Sequence, residues 1–152
     1  MQTLLKLFSK IKTFINMNNC DKLDIIKAFI YMGYFRAFIL FIPFNKLRKR
    51  MGKIKVESPD EVEQTDYIKA KRMASIINIV APKTPWESKC LVQALTAQKM
   101  LKKQGISTTL YLGVKKDENN QMIAHAWTRC GNYFVTGGSN RHGYAVVAKF
   151  AS

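Results

Sequence analysis

The chain has 152 residues, of which 47% are hydrophobic and 11% aromatic, so it has the length and composition of one folded domain rather than of a disordered protein. The formal net charge is +15: residues 1–56 carry twelve Lys/Arg against two acids, and residues 57–152 carry thirteen against eight. This excess predicts an anionic partner without choosing among nucleic acid, lipid and acidic protein. The three cysteines form no C-x-x-C pair, which argues against zinc, redox and disulfide-scaffold motifs and indicates a reducing cytosol.

The N-terminal residues predict two helices. Residues 2–16 have apolar side chains at helical spacing, and Asp21 can cap a second helix that runs to about residue 42. The apolar run 28–44 contains Arg36 and is shorter than the ~20 residues that span a bilayer. We expect it to be a buried helix; the alternative is an interfacial helix anchored by the basic residues 46–55. No small-residue cleavage site follows residues 1–17, so we expect no signal peptide.

The middle of the chain predicts a basic connector and two more helices. Residues 46–55 read as helical at first and then extended, and Ser58-Pro59 is typical of the start of a third helix that ends near Val80. Thr84, Pro85 and Glu87 resemble a capping box, which predicts a fourth helix from residue 84 to Gly105.

After Gly105 the apolar period changes from 3.6 to 2, which predicts strands. Gly131-Asn132 is typical of a two-residue hairpin turn, in which Cys130 would pair with Tyr133. The predicted strands cover residues 107–114, 122–130, 133–136 and 144–150. Helices followed by an antiparallel meander make an α+β fold.

Cys90 and His125 are the residues with the clearest chemical potential. Cys90 is predicted in the second turn of the fourth helix, near its positive end, which lowers a thiol pKa; the alternative is an inert buried cysteine. His125 lies on a strand between two alanines, where a half-buried imidazole needs partners for its ring nitrogens. A cysteine and a histidine so placed predict a thiolate–imidazolium couple for cutting or transferring acyl groups. His142 reads as a solvated loop residue.

A third group to orient His125 is not evident in the sequence. If the hairpin register continues from the Cys130–Tyr133 pair, His125 faces position 138, and its same-face neighbours include Thr136 and Asn140. Neither is acidic, so Asn140 and, more weakly, Thr136 are the predicted orienters. Trp86 and Trp127 are predicted to pack in the core, to line the cleft, or to donate an indole N–H to an oxyanion.

A set of ordered motifs resembles the transglutaminase-like cysteine peptidase of lasso peptide biosynthesis, in its stand-alone form. The motifs are Trp86-x-x-x-Cys90-Leu91-x-x-Ala94-Leu95, Leu101, Gly105-Ile106, Leu112-Gly113-Val114, Ala124-His125-Ala126-Trp127, Val135-Thr136-Gly137-Gly138 and Val147-Ala148-Lys149-Phe150. The resemblance covers residues 57–152 and extends to the N-terminal helices. It divides the chain into a helical N-terminal extension, residues 1–56, and a peptidase domain, residues 57–152.

The resemblance implies a papain- or transglutaminase-like fold with Cys90 as nucleophile and His125 as base, and with no cofactor or metal. The substrate would be a bacterial, ribosomally made precursor peptide, whose leader is cut off so that a partner cyclase can close the core into a macrolactam. Many members place an aspartate near the position of Gly137, which this chain lacks. Fused members carry a leader-binding module with strands of its own, so here that module should be a separate protein.

The N-terminal helices could then dock the leader-binding protein, the cyclase, an exporter or the membrane face. Two other functions stay open. One is a true amide cross-linker, which shares the thioester intermediate but passes the acyl group to an amine. The other is a basic membrane- or nucleic-acid-associated module without activity. We do not expect nucleic acid, because the cations are not interleaved with aromatic residues in a known motif.

Overall fold

A computed structural model of the chain describes residues 17–152, and the helix predicted over residues 2–16 lies outside them. The described chain is α+β, as the sequence predicts. Its helices are α1 (Asn19–Phe41), α2 (Phe44–Arg48), α3 (Gln64–Val80) and α4 (Cys90–Lys102), with a 3₁₀ turn at Ala81–Lys83. Its strands are β1 (Lys53–Ile54), β2 (Thr109–Lys116), β3 (Met122–Cys130), β4 (Tyr133–Thr136) and β5 (Ala145–Ala151).

The five strands form one antiparallel sheet in the order β1-β5-β2-β3-β4. Helices α1, α3 and α4 pack against one another, and α3 and α4 pack on the sheet. Alternate strand residues, among them Leu110, Ala126 and Phe150, fill the core beneath these helices. The basic connector is helical and then extended, in the form of α2 and β1, as predicted.

The core includes side chains from both sides of the predicted boundary between residues 56 and 57. Ala28 and Met32 of α1 are completely buried in the same cluster as Leu101 of α4. The division into an extension and a domain stays a prediction, and α1 packs as part of the domain core. Within residues 17–152, the structure contains no helix that is long and apolar enough to cross a membrane.

The predicted starts of the second and third helices are wrong. The third helix begins at Gln64 instead of near Ser58, because tertiary hydrogen bonds take up the backbone groups of the preceding segment. The Ser58 N–H donates to Thr109 Oγ1 at 2.7 Å, and the Ser58 and Pro59 carbonyls accept from the buried Arg129. Residues 57–60 therefore form a non-helical segment that is hydrogen-bonded to side chains of β2 and β3.

The second helix begins three residues before the predicted position, since its cap is Asn18 rather than Asp21. The Asn18 side chain accepts from the backbone N–H of Cys20, while Asp21 forms an ion pair with Arg72 of α3 at 2.6 Å. The Met122–Cys130 strand has the predicted bounds, and the Cys130–Tyr133 pair is confirmed.

Candidate functional site

The segment before Cys90 is not helical, so the capping-box prediction is wrong. Thr84 Oγ1 lies 3.0 Å from Ala81 O and 2.8 Å from Ser88 Oγ and caps no helix. Helix α4 begins at Cys90, with Lys89 as its N-cap residue. Cys90 is thus the first helical residue rather than a residue of the second turn, which places it at the positive end of the helix dipole.

Cys90 is partly exposed and packs against the edge of the core. The other two thiols have different surroundings: Cys20 is exposed, and Cys130 is buried, which raises the pKa of its thiol above the ordinary value. Cys20 and Cys90 both lie in the first turn of a helix, but only Cys90 is the first helical residue and packs against the core while keeping partial access to solvent.

Trp86 connects the Cys90 segment to helix α1. Its ring centroid lies 4.9 Å from that of Phe29, and a Cβ placed on Gly33 would be 2.9 Å from the indole. The indole Nε1 is buried and has no hydrogen-bond partner in the part of the chain that the structure describes. Trp86 therefore serves as a packing contact between α1 and the segment that leads to Cys90, and its predicted oxyanion role stays a prediction.

Glu87 adds an ion-pair link at the same place. Its carboxylate lies 2.6 Å from Lys89 Nζ and 3.0 Å from the guanidinium of Arg36 on α1. The hydrogen bond from Lys89, more than the contribution of Arg36, lowers the pKa of Glu87. The role of α1 in holding this segment was missed from the sequence; the glycine at 33 within an apolar helix was the available signal.

His125 lies on β3 and is held by a backbone carbonyl. Its Nε2 is 2.9 Å from Gly137 O, so Nε2 carries the proton and donates it. The ring is flanked by Trp127, with centroids 5.7 Å apart, and by Tyr144, at 5.2 Å. With Nε2 as donor, the Nδ1 of the neutral imidazole keeps its lone pair and can accept a proton.

The predicted register near His125 is wrong because β4 contains a bulge. Arg129 pairs with Phe134, but Thr128 pairs with Thr136, so one residue of β4 is left over. The ladder ends there, and residues 122–127 of β3 have no β4 residue beside them. Position 138 therefore does not face His125.

The bulge changes which group contacts the imidazole. A Cβ on Gly137 would lie 3.0 Å from His125 Nε2, so Gly137 rather than Gly138 is the neighbour of the ring. Asn140 is exposed, and the Thr136 hydroxyl is buried without a hydrogen-bond partner among the described residues. Neither donates to or accepts from His125 in residues 17–152. Their orienting role stays a prediction, and sequence reasoning missed the Gly137 carbonyl.

The structure does not bring Cys90 and His125 into a hydrogen bond within the described chain. Thr128 Oγ1 donates to Ala94 O at 3.1 Å, so the even-numbered residues of β3 face α4. His125 and Trp127 leave the sheet on the other face, where Trp127 stacks on Tyr111. Trp127 is buried beside the imidazole, and its predicted role as a cleft wall stays a prediction. The thiol–imidazole couple stays a prediction.

Two depressions flank these residues. A polar cleft of about 440 Å³ lies beside Gly137, between α3 and the chain that follows β4. An apolar groove of about 490 Å³ lies between α1 and the end of α3 and includes Phe29, which also contacts Trp86. Among residues 17–152, no group of three or more His, Cys, Asp or Glu side chains is arranged to hold a metal ion.

Comparison with known proteins gives one match. The family model described as "Transglutaminase-like superfamily" matches residues 38–149. No curated protein and no solved structure matches the chain. The matched range begins within α1 and contains both Cys90 and His125.

Proposed function

Because the chain belongs to the transglutaminase-like superfamily, we propose that it is a cysteine peptidase that removes the leader from a ribosomally synthesised lasso precursor peptide. The superfamily includes cysteine proteases and acyl transferases, so thiol chemistry on an acyl group is the common element. The observation that carries the proposal is the position of Cys90 as the first residue of α4, partly exposed at the positive end of the helix.

In the proposed reaction, the Cys90 thiolate attacks the carbonyl carbon of the bond between leader and core. The amide C–N bond breaks as the imidazolium of His125 gives its proton to the leaving amine, which becomes the free N-terminus of the core. The leader is left as a thioester on Cys90. Water, deprotonated by His125, then hydrolyses the thioester and releases the leader acid and the thiol.

His125 is suited to the role of base by its hydrogen bond to Gly137 O, which fixes the tautomer and leaves Nδ1 as the acceptor. A backbone carbonyl takes the place of the carboxylate that the resemblance leads one to expect at this position. The proposal requires the thiol and Nδ1 to approach each other when substrate binds. Catalytic hydrogen bonds are often long before substrate binds. Because His125 leaves β3 on the face away from α4, this approach must take place around the edge of β3 that β4 leaves uncovered.

The proposed setting is the bacterial cytoplasm. A separate leader-binding protein would present the precursor, and a macrolactam cyclase would use the amine that is released, with an exporter downstream. The polar cleft includes Gly137, whose carbonyl contacts the proposed base, and would take the extended substrate chain.

The test is incubation of the full chain with a precursor peptide and its leader-binding protein, followed by mass spectrometry of the products. We expect Cys90→Ala and His125→Ala each to lower the cleavage rate by roughly 1,000-fold or more. Cys20→Ala and His142→Ala are matched controls, because they remove an exposed thiol and an exposed imidazole elsewhere on the chain. Cleavage at the wild-type rate by Cys90→Ala would end the proposal. An isopeptide adduct in place of free leader acid would identify acyl transfer to an amine instead.

A further inference from the structure

The turn between α1 and α2 carries an exposed apolar cluster. Phe41 is 80% exposed, Leu40 58% and Phe44 50%. Helix α1 ends at Phe41, Ile42 is extended, and Pro43 caps α2, so the chain changes direction here and these side chains project from the corner. Two phenylalanines and a leucine exposed side by side need an apolar environment that the described chain does not supply.

These side chains are not a frayed part of the core. On the same two helices, Met32, Phe35 and Leu47 are buried against the domain. The apolar surface of α1 also continues away from the corner, where Leu23, Ile26 and Ile30 are between 49% and 60% exposed. A helix that is apolar on two sides is covered on both in its working state, and residues 17–152 cover only one side of α1.

The residues that follow the corner are strongly basic. From residue 38 to residue 56 the chain has six cations and no acid; the cations are Lys46, Arg48, Lys49, Arg50, Lys53 and Lys55. All six are exposed, and none forms an ion pair within residues 17–152. Arg50 is held at the corner by Tyr34 OH at 2.6 Å and lies over the Phe38 ring.

We propose that residues 40–55, which we call the basic corner, bind the surface of an anionic lipid bilayer. Leu40, Phe41 and Phe44 insert between the lipid headgroups, and the cations pair with lipid phosphates around them. A bilayer offers an apolar layer directly below a layer of negative charge, which is the order of chemistry that the basic corner presents. Nucleic acid supplies the charge without the apolar layer. The proposal goes beyond peptide cleavage and does not depend on Cys90 or His125.

The test is co-sedimentation of the full chain with vesicles of phosphatidylcholine alone, or of phosphatidylcholine with about 30 mol% phosphatidylglycerol, at about 0.1 M salt. We expect binding to the second vesicles only. Phe41→Ser/Phe44→Ser should weaken it about tenfold or more, and Lys46→Gln/Lys49→Gln roughly 25-fold. The matched controls are Ile68→Ser/Val147→Ser, which remove equally exposed apolar side chains from α3 and β5, and Lys102→Gln/Lys116→Gln.

Three outcomes would overturn the proposal: no binding to either vesicle, equal binding to both, or corner variants that bind as the matched controls do. The last outcome overturns the proposal even if the protein binds the vesicles through another part of the chain. Circular dichroism of each variant separates loss of the surface from loss of the fold. If the Phe41→Ser/Phe44→Ser protein binds vesicles normally but no longer captures the purified leader-binding protein, the corner is a protein interface and the lipid proposal is wrong.

Discussion

Gly137 provides a direct test of the geometry around His125, through the substitution Gly137→Ala. Its φ is +67°, and a Cβ there would lie 2.6 Å from Ala126 O and 2.9 Å from Trp127 Cβ. Gly105 is a matched control: its φ of +76° is similar, but a Cβ would meet nothing within 4 Å. Gly105→Ala therefore reports backbone strain alone, and Gly137→Ala reports the same strain plus the contact with β3.

The left-handed backbone costs a residue with a Cβ about 1–2 kcal/mol, which is the expected loss of unfolding free energy for Gly105→Ala. The overlap with the Ala126 carbonyl and Trp127 cannot be relieved by a flexible side chain, since one neighbour is backbone and the other is a Cβ. Overpacking of this kind costs about 1–3 kcal/mol more. We therefore expect Gly137→Ala to lose about 2–5 kcal/mol in total.

Urea unfolding followed by far-ultraviolet circular dichroism measures both variants, and unchanged m-values would show that the comparison is valid. The nuclear magnetic resonance signal of the His125 ring proton should move in Gly137→Ala and stay in place in Gly105→Ala, because only the former displaces the carbonyl that accepts from Nε2. Equal losses of unfolding free energy in the two variants would refute the reasoning. Residue 137 would then not pack against β3, and the proposed orientation of the His125 ring would lose its support.

Three further predictions concern other parts of the molecule. Arg129→Met should lower the unfolding free energy measured in urea by roughly 3 kcal/mol, because the buried guanidinium donates four hydrogen bonds, to Ser58 O, Pro59 O, Gly131 O and Tyr111 OH. The control Arg141→Met removes one hydrogen bond, to Gly138 O, and should cost about 1 kcal/mol. Equal costs in the two variants would contradict the buried network. The hydrogen bond from Lys149 lowers the pKa of Glu57 in the folded protein. The ionised Glu57 carboxylate therefore stabilises the fold fully above the ordinary carboxyl pKa of about 4.3, and this stabilisation is lost as pH falls through the lower pKa of the folded state. Glu57→Gln should therefore flatten the acid limb of stability against pH, and an unchanged limb would contradict this assignment. Thiol labelling of the native protein should modify the exposed Cys20 fastest. Cys130 should be modified only on unfolding, because it is fully buried and burial raises the pKa of its thiol. Rapid labelling of Cys130 in the native protein would be inconsistent with this core.

The site was only partly predictable from the sequence. The helix and the strand that carry Cys90 and His125 follow from local periodicity, and the strand has the predicted bounds. The hydrogen-bond acceptor of His125 does not follow from local periodicity, because the bulge in β4 shifts the register by one residue between Arg129 and Thr128. A shift of one residue exchanges the faces of a strand, so extrapolation from the hairpin turn fails before it reaches position 137. The packing of Trp86 on Gly33 joins residues 53 positions apart, and a glycine in an apolar helix does not by itself identify the residue that packs on it.

The sequence by itself determined the order of helices and strands, the Gly131-Asn132 hairpin and the end of α4 shortly before Gly105, because apolar period and turn chemistry act over a few neighbouring residues. Only the tertiary structure decided where α3 and α4 begin. The Ser58 and Thr84 segments both have the residues of a helix start. The first is kept out of a helix by hydrogen bonds with Arg129 and Thr109, and the second is held on α1 by aromatic packing and one ion pair. Those partners lie about 50 to 70 residues away, so competition for backbone and side-chain groups, rather than local propensity, placed Cys90 at the first position of its helix.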